Sequence, residues 1–152
     1  KVVETMEKII RDVEKDRRVY FKGVKPTAQS DTFISDEICF TAVRMSDHLK
    51  AKSIVGMTRS GYSALEISSY RPMANIFIFT NNKPLLKTMS LVWGVRGFYY
   101  DKYESTDQTF TDVIDVLKAN QLVSKDDIVI HTASMPIKQK SMANSIKISV
   151  VE

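Results

Sequence analysis

A chain of 152 residues has the length of one domain and can bury roughly 68–70% of the surface its unfolded form exposes. Apolar residues at 43% and charged residues at 26% are ordinary for a globular protein. Its 22 basic and 18 acidic residues leave a net charge of +4 and are interspersed, which excludes a nucleic-acid arm or a membrane-binding patch, so neither nucleic acid nor membrane is an expected partner.

The remaining exclusions come from residue types. No stretch approaches the roughly 18 apolar residues that span a bilayer. Lys1-Val2-Val3-Glu4-Thr5-Met6 has neither a signal-peptide core nor an initiator methionine, so the chain is expected to be a piece of something longer. A single cysteine, Cys39, excludes an internal disulfide framework and fits the reducing cytoplasm. Because it lies in a helical pattern, it reads as packing rather than as a reactive thiol. His48 and His131 stand far apart and read as structural, and no Cys/His cluster suggests a metal.

Taken in chain order, Val3, Met6, Ile9, Ile10 and Val13 recur at helical spacing and predict an amphipathic helix over residues 2–18. A connector over 19–34 follows, broken by Gly23 and Pro26. Ser35 or Asp36 is expected to cap a second helix that places Ile38, Ala42, Met45 and Leu49 on one face. Residues 53–57 read as a short buried strand. The sequence then turns through Thr58-Arg59-Ser60-Gly61 straight into a helix reaching about Tyr70, where Arg71-Pro72 stops it.

Ile76-Phe77-Ile78-Phe79 is too short for a helix and rich in β-formers, so it reads as a second strand. Asn81 or Asn82 can cap the next helix, with Pro84 in its first turn. Residues 95–100 form a third strand, and a loop over 101–107 leads to a helix containing Phe110, Val113, Ile114 and Leu117. Ile128-Val129-Ile130 is a fourth strand, and 146–150 alternates as an edge strand does. The loop 132–144 is too short for a crossover helix, so the last strand should run antiparallel to its predecessor.

This order predicts an α/β fold. It should be a three-layer α/β/α sandwich whose five-stranded sheet is mostly parallel, with the last strand antiparallel. In such sheets ligands sit outside the carboxyl ends of the parallel strands. The 58–63 turn, Thr80-Asn81 and the start of the 132–144 loop all fall on that rim. Hydroxyls, a guanidinium and a helix start at one point attract phosphate. The alternative at this stage is that Ser60 merely caps the helix while Arg59 is solvated.

The same residues resemble the C-terminal domain of pyruvate kinase, piece by piece and in order. Val3-Glu4-Thr5-Met6 is similar to the end of that family's barrel domain. The 36–49 helix, Ala51-Lys52-Ser53-Ile54-Val55, the Thr58-Arg59-Ser60-Gly61 turn with Ser63-Ala64, and Tyr70-Arg71-Pro72 match successive segments. Trp93-Gly94-Val95, Asp126-Asp127-Ile128-Val129 and Pro136 through Asn144 complete the series.

The resemblance implies that residues 1–22 are the terminal helix and connector of a preceding barrel, and that 23–152 are the α/β domain. It implies a cytoplasmic parent enzyme that transfers phosphate from phosphoenolpyruvate to ADP with magnesium and potassium. The parent would be a homotetramer whose catalytic groups lie in the barrel, so this chain alone is expected to be inactive. It also implies that Thr58, Arg59, Ser60, Gly61, Tyr62 and Ser63 form an effector phosphate site, with Lys138 and Lys140 in reach. The 36–49 helix and the last strand would be the surfaces through which the piece dimerises.

Two departures narrow the effector. Ala133, Ser141 and Ala143 stand where responsive members carry two glycines and a threonine, and Thr109 stands where an arginine grips a second phosphate. The resemblance therefore implies a singly phosphorylated sugar or nucleotide rather than a sugar bisphosphate. Two other readings stay open on the residues alone. One is a free-standing α/β enzyme for a phosphorylated metabolite, although no nucleophile–base pair is visible. The other is an interaction module with an empty pocket.

Overall fold

The computed structural model describes residues 1–102, 105–136 and 142–152. Helix α1 spans Val2–Val13, followed by a short 3-10 turn, Arg17–Val19. Then come α2 (Phe33–His48), β1 (Ser53–Met57), α3 (Tyr62–Ser69), β2 (Asn75–Thr80) and α4 (Lys83–Met89). The chain closes with β3 (Val95–Tyr99), α5 (Thr106–Ala119), β4 (Ile128–Ala133) and β5 (Ser145–Val150). The strands form one sheet in the order β3-β2-β1-β4-β5. All neighbouring pairs are parallel except β4–β5, which is antiparallel.

Alternation along the strands builds two cores. Ile54, Ile76, Ile78 and Ile130 face α2, α3 and α4, packing with Cys39, Ala42, Ala64, Ile67 and Met89. Val55, Phe77, Phe79 and Val129 face the other way, onto Val113 and Leu117 of α5. Since β1, β2 and β4 are covered on both faces, they read as continuous apolar runs. The expected three layers are present, with three helices on one side and α5 on the other.

Three boundaries differ from the sequence reading. α1 ends at Val13, five residues short of the expected end, because Asp16 accepts from the Arg18 amide at 2.9 Å and nucleates the 3-10 turn instead. α2 begins at Phe33, so Ser35 and Asp36 lie inside its first turn rather than capping it. Thr32 stands at the cap position, and its hydroxyl donates to Asp36 at 2.7 Å. β4 runs on through His131, Thr132 and Ala133, which pair with Lys147, Ile146 and Ser145. The antiparallel partner extends the strand into residues that look polar in isolation.

Candidate functional site

The 58–63 turn leaves the carboxyl end of β1, the central strand. Its tightness rests on Gly61, whose φ of +86° is a left-handed conformation open to glycine. A Cβ there would also lie 2.8 Å from Leu85 Cδ1 and 3.1 Å from Met89 Cε. Gly61 is the residue before α3, and its amide donates to Thr58 Oγ1 at 3.0 Å. The Tyr62 amide donates to Ser60 Oγ at 3.3 Å. Gly61, not Ser60, occupies the cap position of α3, and Ser60 Oγ closes only a local turn onto the first helical amide. Each hydroxyl accepts an amide and so keeps its own proton for a further partner.

Four amides stay open beyond these bonds. Among the described residues, those of Arg59, Ser60, Ser63 and Ala64 have no acceptor. Ser63 and Ala64 lie at the start of an eight-residue helix with no acidic residue in its first turn, where the helix dipole favours negative charge. Arg59 and Ser60 are exposed, Ser63 is buried and Ala64 is fully buried in the core. The donors gathered at the turn are four open amides, three hydroxyls and one guanidinium.

The neighbouring strand ends hold the turn. The Thr58 amide donates to the Phe79 carbonyl at 3.2 Å. Asn82 caps α4 by accepting from the Leu85 amide at 3.3 Å, and its own amide group donates to the Arg59 carbonyl at 3.2 Å. Thr132 Oγ1 donates to the Val55 carbonyl at 3.3 Å. A Cβ on Gly56 would meet Thr132 Oγ1 at 3.5 Å and Ser63 Oγ at 3.9 Å, so β1, β4 and α3 converge on one spot. The three segments expected on the rim do meet there.

Tyr62 goes elsewhere. Its phenol donates to Asp36 Oδ1 at 2.6 Å, so the side chain lies against α2 rather than over the turn. Burial, followed by that bond to Asp36, holds the phenol above its ordinary pKa. Glu66, one turn further along α3, is also raised, by burial first and by the Asp36 charge second. Cys39 lies near the same carboxylates; burial and their charge push its thiol up to about 12, leaving it inert as a nucleophile.

Lys138 and Lys140 lie outside the described residues. The loop that carries them is tied at its mouth, where the Met135 amide donates to Asn144 Oδ1 at 2.7 Å and Asn144 Nδ2 donates to the Met135 carbonyl at 2.8 Å. Neither this clamp nor the bond from Asn82 to Arg59 was visible in sequence, because each joins residues 9 to 23 positions apart. Thr109 is fully buried, and its hydroxyl donates to the Ser105 carbonyl at 2.7 Å.

No three His, Cys, Asp or Glu side chains among the described residues come together to hold a metal ion. A shallow groove lined by Arg17, Asp47, Lys50 and Met73 lies at the amino ends of the strands, remote from the turn. The rim, with its open donors, is where the chemistry points. No described helix is long and apolar enough to cross a membrane.

A doubly covered α/β sheet with a glycine-bearing turn of amides, hydroxyls and a guanidinium at its central strand defines the class. A family description, pyruvate kinase alpha/beta domain, matches residues 36–149. The pyruvate kinase of Lactobacillus delbrueckii subsp. bulgaricus is 32% identical over 118 residues, which is 78% of this chain and 20% of that protein. That of Clostridium acetobutylicum is 28% identical over 99% of this chain and 32% of its own length. The crystal structure of a pyruvate kinase from Cryptosporidium parvum shares the fold, with a TM-score of 0.72 at 22% identity, over 85% of this chain and 24% of that one. The chain belongs to the pyruvate kinase alpha/beta domain family. It spans between a fifth and a third of the length of these two relatives.

Proposed function

We propose that this chain is the regulatory and subunit-assembly domain of a pyruvate kinase and binds a phosphorylated effector at the 58–63 turn. Residues 1–22 then belong to the end of a preceding barrel, and 23–152 form the α/β domain. The barrel would carry the magnesium- and potassium-dependent transfer of phosphate from phosphoenolpyruvate to ADP, in the cytoplasm. Without it, this chain transfers no phosphate. The observation that carries the reading is the set of open amides at Arg59, Ser60 and Ser63 beside the Arg59 guanidinium and the Thr58 and Ser60 hydroxyls.

The effector is a sugar or nucleotide with a single phosphate. Thr109 supports this choice: its buried hydroxyl is committed to the Ser105 carbonyl and offers nothing to a second phosphate. Binding would act by population shift, favouring one packing of neighbouring subunits over another. α2 and the edge strand β5 are the surfaces that would form the homo-oligomer, a tetramer in the parent and a dimer for this piece alone.

Calorimetric titration with sugar monophosphates and nucleoside monophosphates tests the reading. The account expects binding at one site per chain, weakened about tenfold or more by Arg59→Ala, since a charge-assisted hydrogen bond contributes about 1.5–3 kcal/mol. Equal affinity in both proteins, or heat from neither, would leave the turn a mere helix cap.

A further inference from the structure

The end of α3 remote from the turn carries a second cluster that effector binding does not use. α3 closes at Tyr70, and Arg71 then takes a left-handed backbone (φ +52°) ahead of Pro72. Ser68 Oγ donates to the Trp93 carbonyl at 2.7 Å. The Arg71 guanidinium carbon lies 4.5 Å from the centre of the Trp93 ring, within cation–π range. Tyr20 meets the same indole edge-on, with 6.0 Å between ring centres.

The indole also holds the end of α1. Its N–H donates to the Glu14 carboxylate at 2.9 Å, and the Tyr20 hydroxyl donates to the Glu14 carbonyl at 2.9 Å. Glu14 is the residue that closes α1. Beside it, the Phe21 amide donates to the Arg71 carbonyl at 2.9 Å. Gly23 runs so close to the Tyr70 ring that a Cβ would sit 2.5 Å from its Cδ1. Residues 14–23 are thus fastened to the last turn of α3 and to Trp93.

The rest of α1 is free of the body. None of its residues is buried, and Val2, Val3, Met6, Ile9, Ile10 and Val13 are each at least 52% exposed. α3 itself is a stiff rod of eight residues, about 12 Å long at 1.5 Å per residue. One end is the candidate anion turn and the other is the seat of the Trp93 cluster. A small shift of a short helix along its axis moves both ends together, because a packed core does not deform continuously.

We propose that the Glu14–Trp93–Arg71–Tyr20 cluster is a joint through which α3 carries the state of the 58–63 turn to α1. The coupling rests on the anion-binding reading of the turn; the joint does not. Trp93 is the only tryptophan, so its emission reports the joint directly. The full chain is titrated with inorganic phosphate while calorimetry follows binding, fluorescence follows Trp93, and amide hydrogen exchange follows residues 2–13.

Phosphate is expected to shift Trp93 emission with the calorimetric midpoint and to change α1 exchange several-fold. Glu14→Ala, which is remote from the turn, keeps phosphate affinity within about twofold and loses the α1 response. Bound phosphate with Trp93 emission and α1 exchange unchanged overturns the coupling and leaves the effector reading standing. No bound phosphate removes both. The joint is tested without ligand: Glu14→Ala moves Trp93 emission to the red and speeds α1 exchange while β1, β2 and β4 stay protected. Identical emission and exchange in the two proteins overturn it.

Discussion

His131 lies on β4 with its ring 1% exposed and neither nitrogen hydrogen-bonded. It packs on Phe110 of α5, with 4.8 Å between ring centres, and faces Lys147 across the β4–β5 pair. Burial first, and the Lys147 charge second, lower its pKa from 6.5 to about 4. The folded protein therefore keeps it neutral while the unfolded chain protonates below 6.5. This contribution is fully held above pH 6.5 and is lost as pH falls towards about 4, reaching about 3 kcal/mol. Denaturant unfolding across that window should show a His131→Leu protein losing less stability than the parent; parallel curves would contradict it. Gly61→Ala, with its positive φ and its contact to Leu85, should cost about 1–3 kcal/mol in the same assay.

At the scale of elements, local signals decided what sequence could give. Ile76 to Phe79 alternates between the two cores, and its apolar run marked a strand. Asn81 or Asn82 ahead of Pro84 marked the start of α4, and of the two it is Asn82 that caps it. Elements set by distant partners were not legible. The last residues of β4 owe their strand form to β5, and Tyr62 is turned towards Asp36, 26 residues earlier. The apolar stripe of α1 was plain in the sequence, but its anchorage through Glu14 to Trp93, 79 residues on, was not. Asn82→Ala tests the link between elements, because the side chain caps α4 and also holds the Arg59 carbonyl. Thermal unfolding should show a loss of about 1 kcal/mol, together with weaker phosphate binding. Unchanged phosphate affinity would mean that the bond to Arg59 does not shape the turn.

For the whole molecule, the rim at the carboxyl ends of β1, β2 and β4 was foreseeable from topology, since the strand–helix alternation fixes where the loops gather. The occupancy of individual donors was not foreseeable, because it depends on which hydroxyl reaches which amide. Thr58 and Ser60 satisfy Gly61 and Tyr62 and leave Arg59, Ser60, Ser63 and Ala64 open. Family membership and this pattern of donors together support an effector-binding role, and the pattern can be tested at single-amide resolution. The direct measurement is a titration of isotopically labelled chain with inorganic phosphate, followed by amide nuclear magnetic resonance. The account predicts saturable movement that is largest at Ser60 and Ser63 and that needs about tenfold or more phosphate in Arg59→Ala. Stationary signals at those two amides, at phosphate concentrations that shift others, would contradict it.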